Sequence, residues 1–217
     1  MMELTTEQIQ QVEKYLQIKN FDFIDLRVEI LDHMISDIES LMLKNYDFEN
    51  AFKMTILKWD KYFEETSSFF FGMLYSESKI VVKKAVKMFK PFYFIYLAAY
   101  ILPVAFLKLV PLQFKKSFVN FINGFLLTIA VSAMIYVLFM MIKTKIAKVK
   151  TTYRFILKTQ YFGLILLIMG IAVGIFNENG EMNPVFTGFV CGGFTIVFIC
   201  HHFYKKHNEA IHQYKIS

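Results

Sequence analysis

The stretch Phe118–Ile142, FVNFINGFLLTIAVSAMIYVLFMMI, runs for 25 residues without one charged side chain. As an α-helix it would reach beyond the roughly 30 Å of a bilayer's hydrocarbon core. A helix on a soluble core keeps a polar stripe for water, whereas the amides of this one, Asn120 and Asn123, sit near its start. Three further runs flank it: Pro91–Val110, interrupted by Lys108 and closed by Pro111, then Phe155–Phe176 and Val185–Phe203. Phe and Tyr gather near their ends, as interfacial belts require. Four apolar runs of this length, with only Lys108 and Lys158 charged among them, argue against a soluble bundle. The expected fold is all-α, a small cytosolic three-helix domain (residues 1–66) joined through residues 67–90 to a four-transmembrane-helix bundle (residues 91–217).

Charge supports that division. Residues 1–66 carry 14 acidic and 7 basic side chains, and residues 67–217 carry 4 acidic and 17 basic ones. The basic residues cluster at the ends of the apolar runs, where anionic headgroups lie. Membrane lipids, not nucleic acid, are therefore the expected partners of Lys83, Lys84, Lys87, Lys90, Lys145, Lys148 and Lys150. Orientation follows from the same residues. The segment before the first run, the loop between the second and third, and the tail with Lys205, Lys206 and Lys215 are lysine-rich, while Asn177–Pro184 holds Glu178, Glu181 and no cation. The positive-inside rule puts both termini and the middle loop in the cytoplasm, against the weaker opposing vote of Lys108, Lys115 and Lys116. Cys191 and Cys200, nine residues apart, face opposite sides of one helix and are expected as free thiols.

Gly170 and Gly174 on the third run, and Gly188 and Gly192 on the fourth, are spaced four apart. Small residues at that spacing let helix backbones approach in lipid, so a close antiparallel hairpin of these two runs, turning at Asn179-Gly180, is expected. In Ser78–Lys90 the residues Val82, Ala85, Val86 and Phe89 share one helical face and Lys83, Lys87 and Lys90 another. That pattern suits a helix lying on a leaflet before Pro91 turns the chain inward. Residues 67–76 read as a hinge.

In the head, Thr5 and Gln8 have the form of a capping box, with Leu4 and Ile9 as its hydrophobic staple. Asn20 ends the first helix. The second runs from about Asp25 to Lys44, and Asp47 caps a third that turns Phe48, Ala51, Phe52, Ile56, Leu57 and Phe63 inward. About 60 residues is near the lower limit for independent folding, so the head calls for a partner, self-association into a homo-oligomer, or the membrane.

The run from Val28 through Asp32-His33 to Ile38-Glu39, followed by Tyr46-Asp47-Phe48-Glu49-Asn50-Ala51-Phe52, resembles the HAAS-type helical signalling domain. The resemblance covers the first third of the chain. Such domains precede transmembrane segments in bacterial proteins and are often encoded beside PadR-type transcription regulators. It implies a regulatory setting and names no reaction.

Chemistry is sparse. Glu29, His33 and Asp37 recur at four-residue spacing with Asp32 adjacent, a pattern that can serve metal binding or protein recognition, or simply solvate a helix face, and no second ligand cluster accompanies it. His201, His202, His207 and His212 read as juxtamembrane anchors. No nucleophile motif, phosphate loop or dinucleotide fingerprint is present, and no Asp or Glu lies between Pro91 and Phe176, where ion-coupled transport would want one. The expectation is a non-enzymatic, cofactor-free regulatory protein of a bacterial inner membrane, whose head binds a protein partner through Glu29, Asp32, His33 and Asp37. The alternative is a small transporter or an accessory subunit of one. Topology is directly testable: reporters at residue 1, near Lys148 and at Ser217 should read cytoplasmic and a probe near Gly180 external. A periplasmic signal from the Lys148 loop would contradict this orientation.

Overall fold

The structure, a computed structural model, describes residues 3–215. Residues 1, 2, 216 and 217, which include both end-reporter positions, and the side chain of Lys215 lie outside the description. Helices α1 (Thr6–Ile18), α2 (Ile24–Met42) and α3 (Phe48–Phe63) are followed by strands β1 (Glu65–Ser68) and β2 (Gly72–Ser78). Then come α4 (Lys79–Leu109), α5 (Lys116–Ala147), α6 (Thr152–Gln160), a short 3-10 turn (Tyr161–Gly163), α7 (Leu164–Val173) and α8 (Pro184–Lys215). The chain is all-α apart from one small hairpin, and four stretches are long and apolar enough to cross a membrane: Lys79–Leu109, Lys116–Ala147, Thr152–Val173 and Pro184–Tyr214.

Two compact units can be separated. The first takes in Met1–Lys87, Val149–Phe155 and His207–Ser217, and the second Met88–Lys148 and Ile156–Lys206. The first unit thus extends beyond Thr66, the expected end of the head, and gathers pieces of the middle loop and the tail.

Within the first unit the local signals act as expected. The Thr5 hydroxyl accepts from Gln8 N while Gln8 Oε1 accepts from Thr5 N, both halves of the capping box. Asn20 leaves α1 with a left-handed φ of 52°, and Asp47 caps α3 by accepting from Asn50 N at 3.1 Å. Val12, Leu16, Ile30, Met34, Ile38 and Ala51 form the buried seam of the three helices. On α3 the inward face is rotated from the expected one. Leu57 is 68% exposed, while Thr55 and Trp59 are buried, because Trp59 is held by a hydrogen bond from its Nε1 to Asp37.

Residues 67–76, expected as a hinge, are instead most of a β-hairpin. Glu65 pairs with Ser78, Thr66 with Glu77 and Ser68 with Gly72, with a bulge between Thr66 and Ser68. The turn closes through Phe71 N to Ser68 O, and Gly72 takes a φ of 79° that favours glycine. Phe71 is buried edge-on against Phe155, their ring centroids 5.3 Å apart. That contact anchors a hairpin which alone would be marginal.

Pro91 does not turn the chain. It lies inside α4 together with Pro103, and membrane helices tolerate such prolines because neighbouring groups re-satisfy the freed carbonyls. Val81, Val82 and Ala85 are buried within the protein, so the face expected to rest on a leaflet is covered by the chain itself.

In the second unit α8 is the most buried of the four spanning stretches and α4 the least. The glycines explain how α8 is packed. A Cβ on Gly188 would meet Val104 Cγ2 at 2.6 Å and Tyr100 O at 2.9 Å, and one on Gly192 would meet Tyr96 Cε2 at 3.3 Å. Both therefore serve contact with α4, not the expected contact with α7. The α7–α8 contact rests on Gly170, whose Cβ would meet Val190 Cγ2 at 2.7 Å, and on Gly193 against Leu167. Gly174 has no atom within 4 Å of a Cβ position and ends α7 with a φ of 88°, so it serves the turn and not packing. At one end of the bundle the connection at 111–115 pairs with the turn at 177–182. Phe114 N donates to Gly180 O, and Met182 N donates to Leu112 O, both at 2.9 Å. Leucine at a close backbone contact overpacks it and typically costs about 1–3 kcal/mol. Gly188→Leu and Gly193→Leu should therefore lower the detergent melting temperature, while Gly124→Leu, at which a Cβ would meet no atom of another element within 4 Å, should not. Equal melting of all three would refute the close contacts on α8.

Candidate functional site

The first unit holds a polar junction assembled from segments far apart in sequence. Its centre is Asp25, in the first turn of α2 and only 6% exposed. A carboxylate there is favoured by the α2 dipole. Its Oδ1 also accepts from Thr152 N at 2.9 Å, 127 residues further along. Thr152 opens α6 and carries one of the N–H groups that have no partner inside their own helix. Thr151 supplies a local cap, its Oγ1 accepting from Arg154 N at 3.0 Å. The start of α6 is thus capped twice, once from its own sequence and once from the head.

Other contacts fix the same segment. Phe23 and Lys150 form a parallel bridge, with Ile24 N donating to Lys150 O at 3.1 Å. The Lys150 ammonium lies 3.5 Å from Asp22, and Arg154 Nη1 donates to Val149 O at 2.8 Å. The tail enters through His207, fully buried, whose Nδ1 is hydrogen-bonded with Thr151 Oγ1 at 2.9 Å. From α4, Lys84 Nζ donates to the Asp25 backbone oxygen and to Glu29 Oε2, both at 3.1 Å.

The junction is not fully satisfied. Asp25 Oδ2, Thr152 Oγ1 and His207 Nε2 are buried without a hydrogen-bond partner. Each such atom costs about 1–3 kcal/mol relative to a paired one. Buried polar groups are nearly always paired, so three orphans around one helix start set this junction apart from the rest of the first unit. Among the described residues no three His, Cys, Asp or Glu side chains converge as metal ligands.

The residues singled out on α2 part company here. Glu29 pairs with Lys84. Asp37 accepts from Lys58 and from the Trp59 indole. Burial pushes its carboxyl up, but these donors outweigh burial and hold it below its usual range. Both are occupied inside the unit, whereas Asp32 and His33 are exposed. Among the headgroup lysines, Lys84 and Lys150 are likewise committed to the junction, and Lys83, Lys87, Lys90, Lys145 and Lys148 are exposed. Of the histidines, His201 Nδ1 is hydrogen-bonded with the Tyr136 hydroxyl at 2.6 Å and His202 packs on Phe92. Asp25, Thr151 and His207 had no local signal that would have grouped them.

Family models, curated proteins and solved structures give no match to this chain.

Replacing a capping carboxylate by alanine costs about 0.5–2 kcal/mol. Asp25→Ala in the full chain should therefore raise amide exchange across 149–155, while Asp32→Ala should leave it unchanged. Exchange at wild-type rates in Asp25→Ala would remove the remote cap from the account.

Proposed function

We propose that the protein is a regulatory component of a bacterial inner membrane, with both termini and the middle loop in the cytoplasm. In this reading the head binds a protein partner and passes that event to the membrane helices through the Asp25 junction. The single observation that carries it is the capping of α6 by Asp25. A residue of the head holds the first turn of a candidate span, Thr152–Val173, so displacement of α2 would bare that helix start. Residues of the N-terminal region, the middle loop and the tail share one compact unit, which supports a common side for all three. The lysine distribution, the HAAS-like pattern on α2 and α3, and the acidic balance of the head point the same way.

The partner would meet α2 at Asp32 and His33, since Glu29 and Asp37 already have partners inside the unit. Lysine at Asp37 would also strip Trp59 of its acceptor, so it makes a poor probe of recognition. Coupling requires only that the partner bind one junction state better than the other.

The test is affinity capture from native membranes with the full chain, comparing wild type with Asp32→Lys/His33→Glu. The double variant should lose a specific cytosolic protein while keeping the wild-type circular dichroism. Capture unaffected by the double variant would discard the α2 surface, and solute flux in liposomes containing the purified protein would move the assignment to a transporter.

A further inference from the structure

In the second unit, α5 and α7 pack around Ala130 and Leu167, yet leave open grooves beside that contact and the 177–183 turn. Three voids share their walls there. One of about 340 Å³ lies between Gly124, Leu127 and the end of α7. It meets a second, of about 300 Å³, at Asn123, and a third, of about 520 Å³, at Val173 and Gly174. The opening has a cause in sequence: Gly124 and Gly174 each have no atom within 4 Å of the Cβ position.

The lining changes character along α5. Lys116 and Asn120 stand at the mouth, where Glu178 of the turn also contributes. Asn123 follows, then Leu126 and Leu127 against Ile171 and Val173. At 1.5 Å per residue, Asn120 and Asn123 lie roughly 6 and 10 Å along the helix from Lys116. With Lys116 at headgroup level, that is the depth of the ester groups and the upper hydrocarbon of a leaflet. Both amides are exposed, and among the described residues no hydrogen bond is found for either. By contrast, Thr128 and Ser132 turn their hydroxyls back onto the Gly124 and Thr128 carbonyls, both at 2.9 Å. An unpaired amide facing hydrocarbon is costly, so donors placed at this depth call for an acceptor.

We propose that this groove binds one amine-bearing glycerophospholipid. Lys116 faces its phosphate, Asn120 and Asn123 donate to its ester carbonyls, and one acyl chain runs along Leu126, Leu127 and Ile171. Glu178 accepts from its primary ammonium. Among the described residues no ion pair is found between Lys116 and Glu178 although both line the same void, so a zwitterionic headgroup can satisfy the two together. The site stands independently of the regulatory reading, since none of its residues belongs to the head unit.

The experiment uses the full chain in mild detergent with palmitoyl-oleoyl phosphatidylethanolamine, and the choline and glycerol headgroup analogues as competitors, read by native mass spectrometry. Wild type should retain the ethanolamine lipid in preference to both. Gly124→Leu, whose Cβ would meet no atom within 4 Å and whose side chain would extend into the groove, should retain about tenfold less at an unchanged melting temperature. Glu178→Gln, in the exposed turn, should bind while losing the preference for ethanolamine over choline, which provides a second readout should Gly124→Leu fold poorly. Equal retention by wild type and a folded Gly124→Leu would overturn the proposal. So would an unchanged headgroup preference in Glu178→Gln, or a wild-type preference for the glycerol headgroup.

Discussion

A helix that begins inside a protein cannot leave its first N–H groups bare, because each unpaired donor costs free energy comparable to a lost hydrogen bond. The start of α6 meets that constraint with a borrowed acceptor, Asp25 Oδ1. Much of the first unit follows from this bond. Two residues before Thr152, Lys150 is held alongside Phe23 in a parallel bridge. That in turn sets Thr151 where it receives His207 from the tail. Lys84 then closes over the backbone of Asp25 itself. Segments from the head, the middle loop and the tail become one unit through a handful of polar contacts, with Phe71 against Phe155 as the apolar counterpart.

The second unit solves a different problem. In lipid there is no hydrophobic force between helices, so close packing and backbone approach must hold them. Helix α8 does so by presenting small residues in two directions, Gly188 and Gly192 to α4 and Gly193 to α7. The apolar side chains left exposed on α4 and α5, among them Phe94, Leu102, Phe125 and Leu138, suit a surface surrounded by acyl chains. The paired turns, Phe114 to Gly180 and Met182 to Leu112, give the backbone outside the helices its own hydrogen bonds.

What could be read from the residues, and what could not, divides along the range of the interaction. The capping box at Thr5 and Gln8, the stop at Asn20 and the cap at Asp47 depend on neighbours three or four positions away, and each lies where the pattern puts it. The spanning helices were equally plain, because the exclusion of charge from a long apolar run is a property of the run itself. The hairpin was not, since β1 is a short piece of Glu, Thr and Ser with no apolar alternation to betray a strand, and it exists because Phe71 finds Phe155 much later in the chain. Spacing revealed that Gly188 and Gly192 sit on one face, yet not which helix that face would meet. Asp25 was the most hidden of all. On sequence it is an ordinary acid in a helix's first turn, and its role depends on an N–H 127 residues away.

The central claim, that the head is stitched to the middle loop, is tested most directly by cross-linking in native membranes. Phe23 and Lys150 sit opposite each other in a parallel bridge, and paired strands lie about 4.8 Å apart, within the Cα separation a disulfide spans. In a background with Cys191 and Cys200 replaced by serine, Phe23→Cys with Lys150→Cys should form an intramolecular disulfide under mild oxidation, and a protease cut between the two positions should leave the fragments joined until reduction. Fragments that separate without reductant, while Phe71→Cys with Phe155→Cys also fails to link, would contradict the account.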